Sequence, residues 1–207
     1  MKPNTLVGHG WILLTAAVGG PGAKWKDKAL SKAIIACQRQ QIVGYKPNYS
    51  HAELLTNDKG QTFAARWRTR HRDNGLADYI GSDVLIGRPA SGMSETEFSK
   101  RWADANMNRF DGRFYPILRI LLSGLTAYFL PSFMRKLSLF DKWAMCSEVV
   151  ACLYTADPCY PFCQTGYKGI FPGNLEYVVK YGDAFEVAFE GPLTEDVLIK
   201  AGLPTYR

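Results

Sequence analysis

The sequence predicts an α+β fold organised as a single domain over residues 1–207. Three observations carry this. The elements read as strand, helix, hairpin, strand, helices and strand, without the regular strand–helix alternation of a doubly wound sheet. The 207 residues fall within the range of one ordinary domain, and no internal period, low-complexity tract or Pro/Gly/Ser linker divides them. Hydrophobic residues make up 47% and charged residues 21%, so the chain can fill a core, and a disordered tail or a disulfide-stapled miniature scaffold is excluded.

Val7 to Val18 reads as a strand entered from the Gly8-His9-Gly10 turn. A Gly-Pro-Gly loop then leads to a helix over Asp27 to Gln41, where Ala29, Leu30, Ala33, Ile34 and Cys37 recur at helical spacing, as a helix covering a sheet would show. Tyr49 to Thr56 and Gln61 to Trp67 flank Asn57-Asp58-Lys59-Gly60, whose residues tolerate the backbone angles of a hairpin turn. Asp83 to Arg88 is a further strand. Residues 94–110 form a polar helix, with Ser94 and Glu97 at capping-box spacing. Within Asp141 to Tyr154 a helix is expected with Cys146, Val149, Val150 and Leu153 on its buried stripe. Leu175 to Lys180 and Ala184 to Phe189 supply late structure, the latter alternating like an edge or barrel strand.

Lys plus Arg is 25 against 19 for Asp plus Glu, a net charge of +6. That balance favours anionic surroundings such as nucleic acid, a lipid surface or an acidic cell-wall polymer, without choosing among them. Five cysteines, an odd number, do not fit a secreted disulfide framework. The first apolar run is short and runs into Gly19-Gly20-Pro21-Gly22, so no signal peptide is expected, implying cytoplasmic residence at synthesis or delivery by another route, as for a phage-encoded protein. Ile117 to Met134 contains Arg119 and Pro131. It reads as a buried or interfacial helix rather than a transmembrane span, which needs about 20 cleanly apolar residues.

Only three histidines are present: His9, His51 and His71. On a strand, period-two geometry puts His51 and Glu53 on one face and Ala52 and Leu54 on the other. Cys146 falls at the start of its helix, where unpaired backbone N–H groups and the dipole favour a thiolate. An imidazole beside it could take the thiol proton and return it to a leaving amine, while first-turn N–H groups hold the oxyanion. The plain alternatives are a small core cysteine and a packed strand histidine. His9 and His71 read as surface residues.

Tyr49-Ser50-His51-Ala52-Glu53 on a strand, a second strand, and later Met145-Cys146-Ser147-Glu148-Val149-Val150 opening a helix together resemble the circularly permuted NlpC-type papain-like hydrolases, YiiX-like branch. Gly10 to Leu14, Arg88-Pro89 and Gly169 to Leu175 extend the likeness from about residue 8 to 190. The resemblance implies a papain-like fold, an antiparallel sheet or partial barrel packed against helices, with the nucleophilic cysteine at a helix N-terminus. It implies Cys146 as nucleophile, His51 as base, and a polar residue on the following strand as orienter. That strand reads Gln61-Thr62-Phe63-Ala64-Ala65-Arg66 and offers no carboxylate. With Asp58-Lys59 centring the turn, Arg66 falls opposite His51, where a cation would depress the base's pKa. Glu53 is the substitute orienter, about 7 Å along the strand, so a direct bond needs a favourable rotamer; substrate binding is its alternative. Glu148 reads as a helix-terminus carboxylate. Tyr49 and Ser50 either shape the oxyanion and substrate site or pack the strand.

The expected activity is that of a cysteine hydrolase cutting an amide bond, with a peptide or cell-wall (murein) peptide as the substrate implied by the resemblance. The alternatives are a lipid acyl hydrolase or acyltransferase of the same superfamily, and a catalytically inactive basic binding module. For the last, Arg66, Arg68, Arg70 and Arg72 alternate and would line one side of a continued strand, with Arg66 also a substrate-binding candidate. A groove for an anionic polymer or nucleic acid is one reading and a solvated edge the other. No cofactor is expected. No P-loop or Gly-x-Gly-x-x-Gly occurs. Cys159-x3-Cys163 lacks the second close pair that zinc needs, so a disulfide between them or simple burial is preferred.

Overall fold

A computed structural model describes residues 6–16, 22, 24–41, 44–65, 69–113, 145–165 and 170–205. Its strands are β1 (Trp11–Thr15), β2 (His51–Leu55), β3 (Thr62–Ala65), β4 (Thr69–Arg72), β5 (Asp83–Pro89) and β6 (Phe185–Pro192). They form one sheet in the order β4-β3-β2-β1-β5-β6, and every pairing is antiparallel. The sheet is open, ending in β4 and β6, so the barrel alternative is not realised. Its helices are α1 (Trp25–Gln41), α2 (Glu95–Asp104), α3 (Cys146–Cys152), α4 (Phe162–Thr165), α5 (Pro172–Tyr181) and α6 (Glu195–Lys200), with 3-10 turns at Ala77–Tyr79 and Met107–Phe110.

The first hairpin forms as its turn residues dictate. Asn57 Oδ1 accepts from the backbone N–H of Lys59 at 2.9 Å and of Gln61 at 3.0 Å, and Gly60 takes φ +80°, where a side chain would be strained. Leu54 then pairs with Phe63 and Leu55 with Thr62, the register centred on Asp58-Lys59. Among the described residues β3 ends at Ala65. Thr69–Arg72 is a separate strand lying antiparallel against β3, with Arg70 opposite Ala64, so Arg70 and Arg72 do not lie on a continuation of β3.

Both faces of the sheet are covered, so β1 and β2 are buried along their whole lengths. On one face Ile12, Leu14, Ala52, Leu54, Phe63 and Leu85 pack with α3, with Phe98 of α2 and with Leu175 and Val179 of α5. On the other, Leu13, Leu55, Val84 and Ile86 pack with Leu76, Tyr79 and Leu198. Each such side chain contributes about 1.5–3 kcal/mol, and this two-sided burial holds the start of β2 in place. The helix opened by Cys146 is buried on every side, including the expected stripe of Cys146, Val149, Val150 and Leu153.

Several expectations need correction. The buried line of α1 is Ser31, Ile34 and Gln38, and Ile34 packs against Met145 and Phe171, the residues that precede α3 and α5, rather than on the sheet. The 94–110 helix stops at Asp104, because Asn106 turns left-handed at φ +49° and a 3-10 turn follows. Ser94 does cap it, accepting from Glu97 N–H at 3.2 Å, but the Glu97 carboxylate takes Arg101 instead of closing the box. Leu175 to Lys180 lies within α5, started by Pro172. The alternating segment at 184–189, by contrast, is the edge strand expected, within β6. Ile117 to Met134 and Arg66 to Arg68 lie outside the described residues; among those described, no helix is long and apolar enough to cross a membrane.

Candidate active site

The chain entering β2 is fastened at each residue. Asn48 N–H donates to Glu176 Oε2 at 2.9 Å. Gln38 donates through Nε2 to the Tyr49 carbonyl at 3.3 Å while its Oε1 accepts from Gly173 N–H at 2.6 Å. Ser50 N–H donates to the Thr15 carbonyl at 3.0 Å, and the Ser50 hydroxyl to the Ala16 carbonyl at 2.8 Å. Tyr49 OH points to Glu190 Oε1 at 3.5 Å. The polar atoms of Tyr49 and Ser50 are thus engaged with neighbouring parts of the fold. Gly173 is needed here, because a Cβ on it would meet Gln38 Oε1 at 2.4 Å and Pro47 Cβ at 2.8 Å.

His51, the first residue of β2, is wholly buried, as is Glu53. Imidazole Nε2 lies 3.1 Å from Glu53 Oε1, so the two side chains on one strand face do meet. The same Oε1 accepts the phenol hydrogen of Tyr79 at 2.6 Å. Ring nitrogen Nδ1 is buried with no ordinary nitrogen or oxygen partner among the described residues. The remaining neighbour acting on the ring is the Cys146 thiol. Burial alone pushes the imidazole pKa down, but the charge and hydrogen bond of Cys146, followed by the hydrogen bond and charge of Glu53, outweigh it and raise the pKa to about 9.

Cys146 and Tyr79 belong to different layers of the core. Cys146 belongs to the apolar layer with Ala52 and Leu54, whereas Tyr79 lies in the opposite layer with Leu55, on the face that alternation gives to Glu53. Cys146 itself is 1% exposed. The turn that presents it is set by Glu148, whose Oε2 accepts the Met145 backbone N–H at 2.9 Å, and by Ser147, which donates to the Ile170 carbonyl at 2.5 Å. Glu148 therefore works at the helix terminus, as its position in the first turn predicts.

Tyr79 is the participant that sequence reasoning missed. It ends a three-residue 3-10 turn, too short to leave a periodic signal, and contacts Glu53 across 26 positions of sequence. Arg66, expected opposite His51, lies outside the described residues. Of the other arginines in that run, Arg70 is exposed and Arg72 is paired with Asp78. His9 is half-buried, its Nδ1 2.8 Å from the Thr56 carbonyl, rather than at the surface. His71 is exposed, its ring 4.8 Å from Phe63 and 5.4 Å from Trp102. Cys159 and Cys163 are free and exposed, neither bridged nor buried. Among the described residues no group of three or more His, Cys, Asp or Glu side chains is placed to hold a metal ion.

No protein-family model matches the chain, and no curated protein matches it in sequence. Among solved structures, the crystal structure of the metalloprotein yiiX from Escherichia coli O157:H7 superposes with a TM-score of 0.46 at 15% identity, covering 94% of this chain and 92% of that one.

Proposed function

We propose that this chain is a papain-like cysteine hydrolase that cleaves an amide bond through a thioester on Cys146, with His51 as general base and Glu53 as the group that orients it. One observation carries the reading: a buried imidazole is held by a carboxylate at Nε2, 3.1 Å away, while a helix-opening thiol acts on the same ring. With Nε2 occupied by Glu53, Nδ1 is the nitrogen left to serve the thiol. A seven-residue helix has a short dipole, so activation of the sulfur rests on the imidazole.

In the proposed reaction Nδ1 has already taken the thiol proton, leaving a thiolate beside an imidazolium, and Sγ attacks the carbonyl carbon. The carbonyl oxygen becomes an oxyanion beside the Cys146 backbone N–H, which covalent geometry keeps close to it. Collapse breaks the C–N bond, the imidazolium gives its proton to the departing amine, and a thioester remains. His51 then removes a proton from water, the C–S bond breaks, and the acid leaves as the thiol is restored. The substrate class is a peptide or cell-wall peptide amide, to which the net charge of +6 adds attraction for an anionic polymer.

The test is to incubate the full chain with an activated ester and with a panel of peptide and murein-peptide amides, following product and trapping the acylated protein in acid for mass spectrometry. A thioester on Cys146 is expected, with turnover reduced by roughly 100-fold or more in Cys146→Ala and in His51→Ala. Turnover that survives Cys146→Ala contradicts the proposal.

A further inference from the structure

Tyr79 places a phenol in a wholly buried site, in the layer opposite α3, with its hydroxyl 2.6 Å from the one carboxylate oxygen that also faces imidazole Nε2 at 3.1 Å. A buried phenol has to deliver its proton to an acceptor, and a carboxylate so far from water is driven toward its neutral form unless donors hold the charge. The two protonation states of Glu53 have opposite consequences for the ring. An ionised Glu53 can only accept, so it fixes the proton on Nε2 and leaves the Nδ1 lone pair for a thiol. A neutral Glu53 can donate to Nε2 instead, which puts the imidazole proton on Nδ1 and removes its basicity there.

We propose that Tyr79 is a positioning residue for the base: by donating to Glu53 Oε1 it keeps that carboxylate ionised and pinned against Nε2, and so selects the His51 tautomer whose Nδ1 can accept the Cys146 proton. This rests on the reading of Cys146 and His51 as nucleophile and base. The groups acting on the imidazole among the described residues are Cys146 from α3 and Glu53 from its own strand, with Tyr79 behind Glu53. Asp78, next to Tyr79, is committed to Arg72.

The experiment is a pH titration of the histidine ring nitrogens and protons by NMR in the full chain, comparing the unsubstituted protein with Tyr79→Phe, Glu53→Gln, Cys146→Ser and His51→Ala, the last assigning the His51 signals. Tyr79→Phe keeps the ring and removes only the donor. It is expected to lower the His51 pKa by about one pH unit or more, a tenfold change in imidazolium population, and to populate the Nδ1–H tautomer, while the His71 titration stays in place. Glu53→Gln should shift it the same way, and the double variant should go little further. An unchanged titration and tautomer in Tyr79→Phe overturn the inference. Should Cys146→Ser leave the His51 titration unmoved, the nucleophile–base reading fails instead, so the two failures are distinguishable. If Tyr79→Phe does not fold, the Tyr79 hydroxyl proton in the unsubstituted chain decides: it is expected to shift as His51 titrates and to vanish or move in Glu53→Gln, and a resonance indifferent to both overturns the proposal.

Discussion

His51 and Glu53 stand two positions apart on β2, and imidazole Nε2 lies 3.1 Å from Glu53 Oε1 with both side chains cut off from water. Removing one member of such a pair leaves the other's charge buried and uncompensated, which typically costs about 3–5 kcal/mol. Urea denaturation near neutral pH should show losses of this order for His51→Ala and for Glu53→Ala. The double substitution should cost less than the sum of the two, by about 0.5–3 kcal/mol. Additive losses would mean that the contact carries no coupling.

The pH dependence of catalysis follows from the ring's environment. Burial lowers the imidazole pKa, and Cys146 and Glu53 raise it past that, from 6.5 to about 9. Expulsion of an amine needs a proton on the ring, and a raised pKa keeps it there until the pH passes about 9. The account therefore predicts that kcat/KM for an amide declines above about 9, and that in Glu53→Gln the decline begins at a pH closer to 6.5. A pH–rate profile with its upper limb already at 6.5 in the unsubstituted protein, or unmoved in Glu53→Gln, would refute this.

Gly87 on β5 lets α5 lie close against the sheet. A Cβ there would come within 2.7 Å of both Val179 Cγ1 and Cγ2, so Gly87→Ala should destabilise the fold by about 1–3 kcal/mol through overpacking. Shortening the neighbour, in Gly87→Ala/Val179→Ala, should recover part of that loss. Equal stability of Gly87→Ala and the unsubstituted protein in thermal melts would show that α5 sits farther from β5 than described.

The thiols outside the site should react in an order set by exposure and charge. Cys159 and Cys163 are exposed, whereas Cys152 is buried, its thiol pushed up by burial with Arg109, 3.1 Å from Sγ, pulling the other way. The Asp157 carboxylate pushes the Cys159 thiol up through a hydrogen bond and its charge. Under native conditions Cys163 and Cys159 should be modified by a disulfide reagent and Cys152 only on unfolding, with Asp157→Asn bringing the onset at Cys159 to lower pH. Site mapping by mass spectrometry checks the order; prompt native modification of Cys152 would contradict it.

Much of this was legible in the sequence where physics is local. Asn57 to Gly60 set the turn and therefore the register of β2 on β3, because an Asx-type turn and a positive-φ glycine act within four residues. The spacing of Cys146, Val149 and Val150 announced the buried helix, and alternation put His51 and Glu53 together. What stayed hidden depends on contacts between distant parts of the chain. The hydrogen bond from Tyr79 to Glu53 comes from a turn with no period of its own. Alternation alone cannot say where a strand stops and returns, so it does not place Arg70 and Arg72 on β4. Gln38, a polar residue on the buried line of α1, gives no apolar signal, because its value lies in the Tyr49 carbonyl and Gly173 N–H, which only the folded chain supplies.

The most direct measurement of the central claim is iodoacetamide labelling across pH with the modified cysteines mapped, comparing the unsubstituted chain with His51→Ala. Because Cys146 is 1% exposed, labelling there reports both an activated sulfur and a path to it. The account predicts that Cys146 is alkylated well below the pH at which Cys163 begins to react, and that His51→Ala raises that onset to the range of an ordinary thiol. A Cys146 that stays unmodified in the folded protein, or that follows the same pH course with and without His51, would contradict the account.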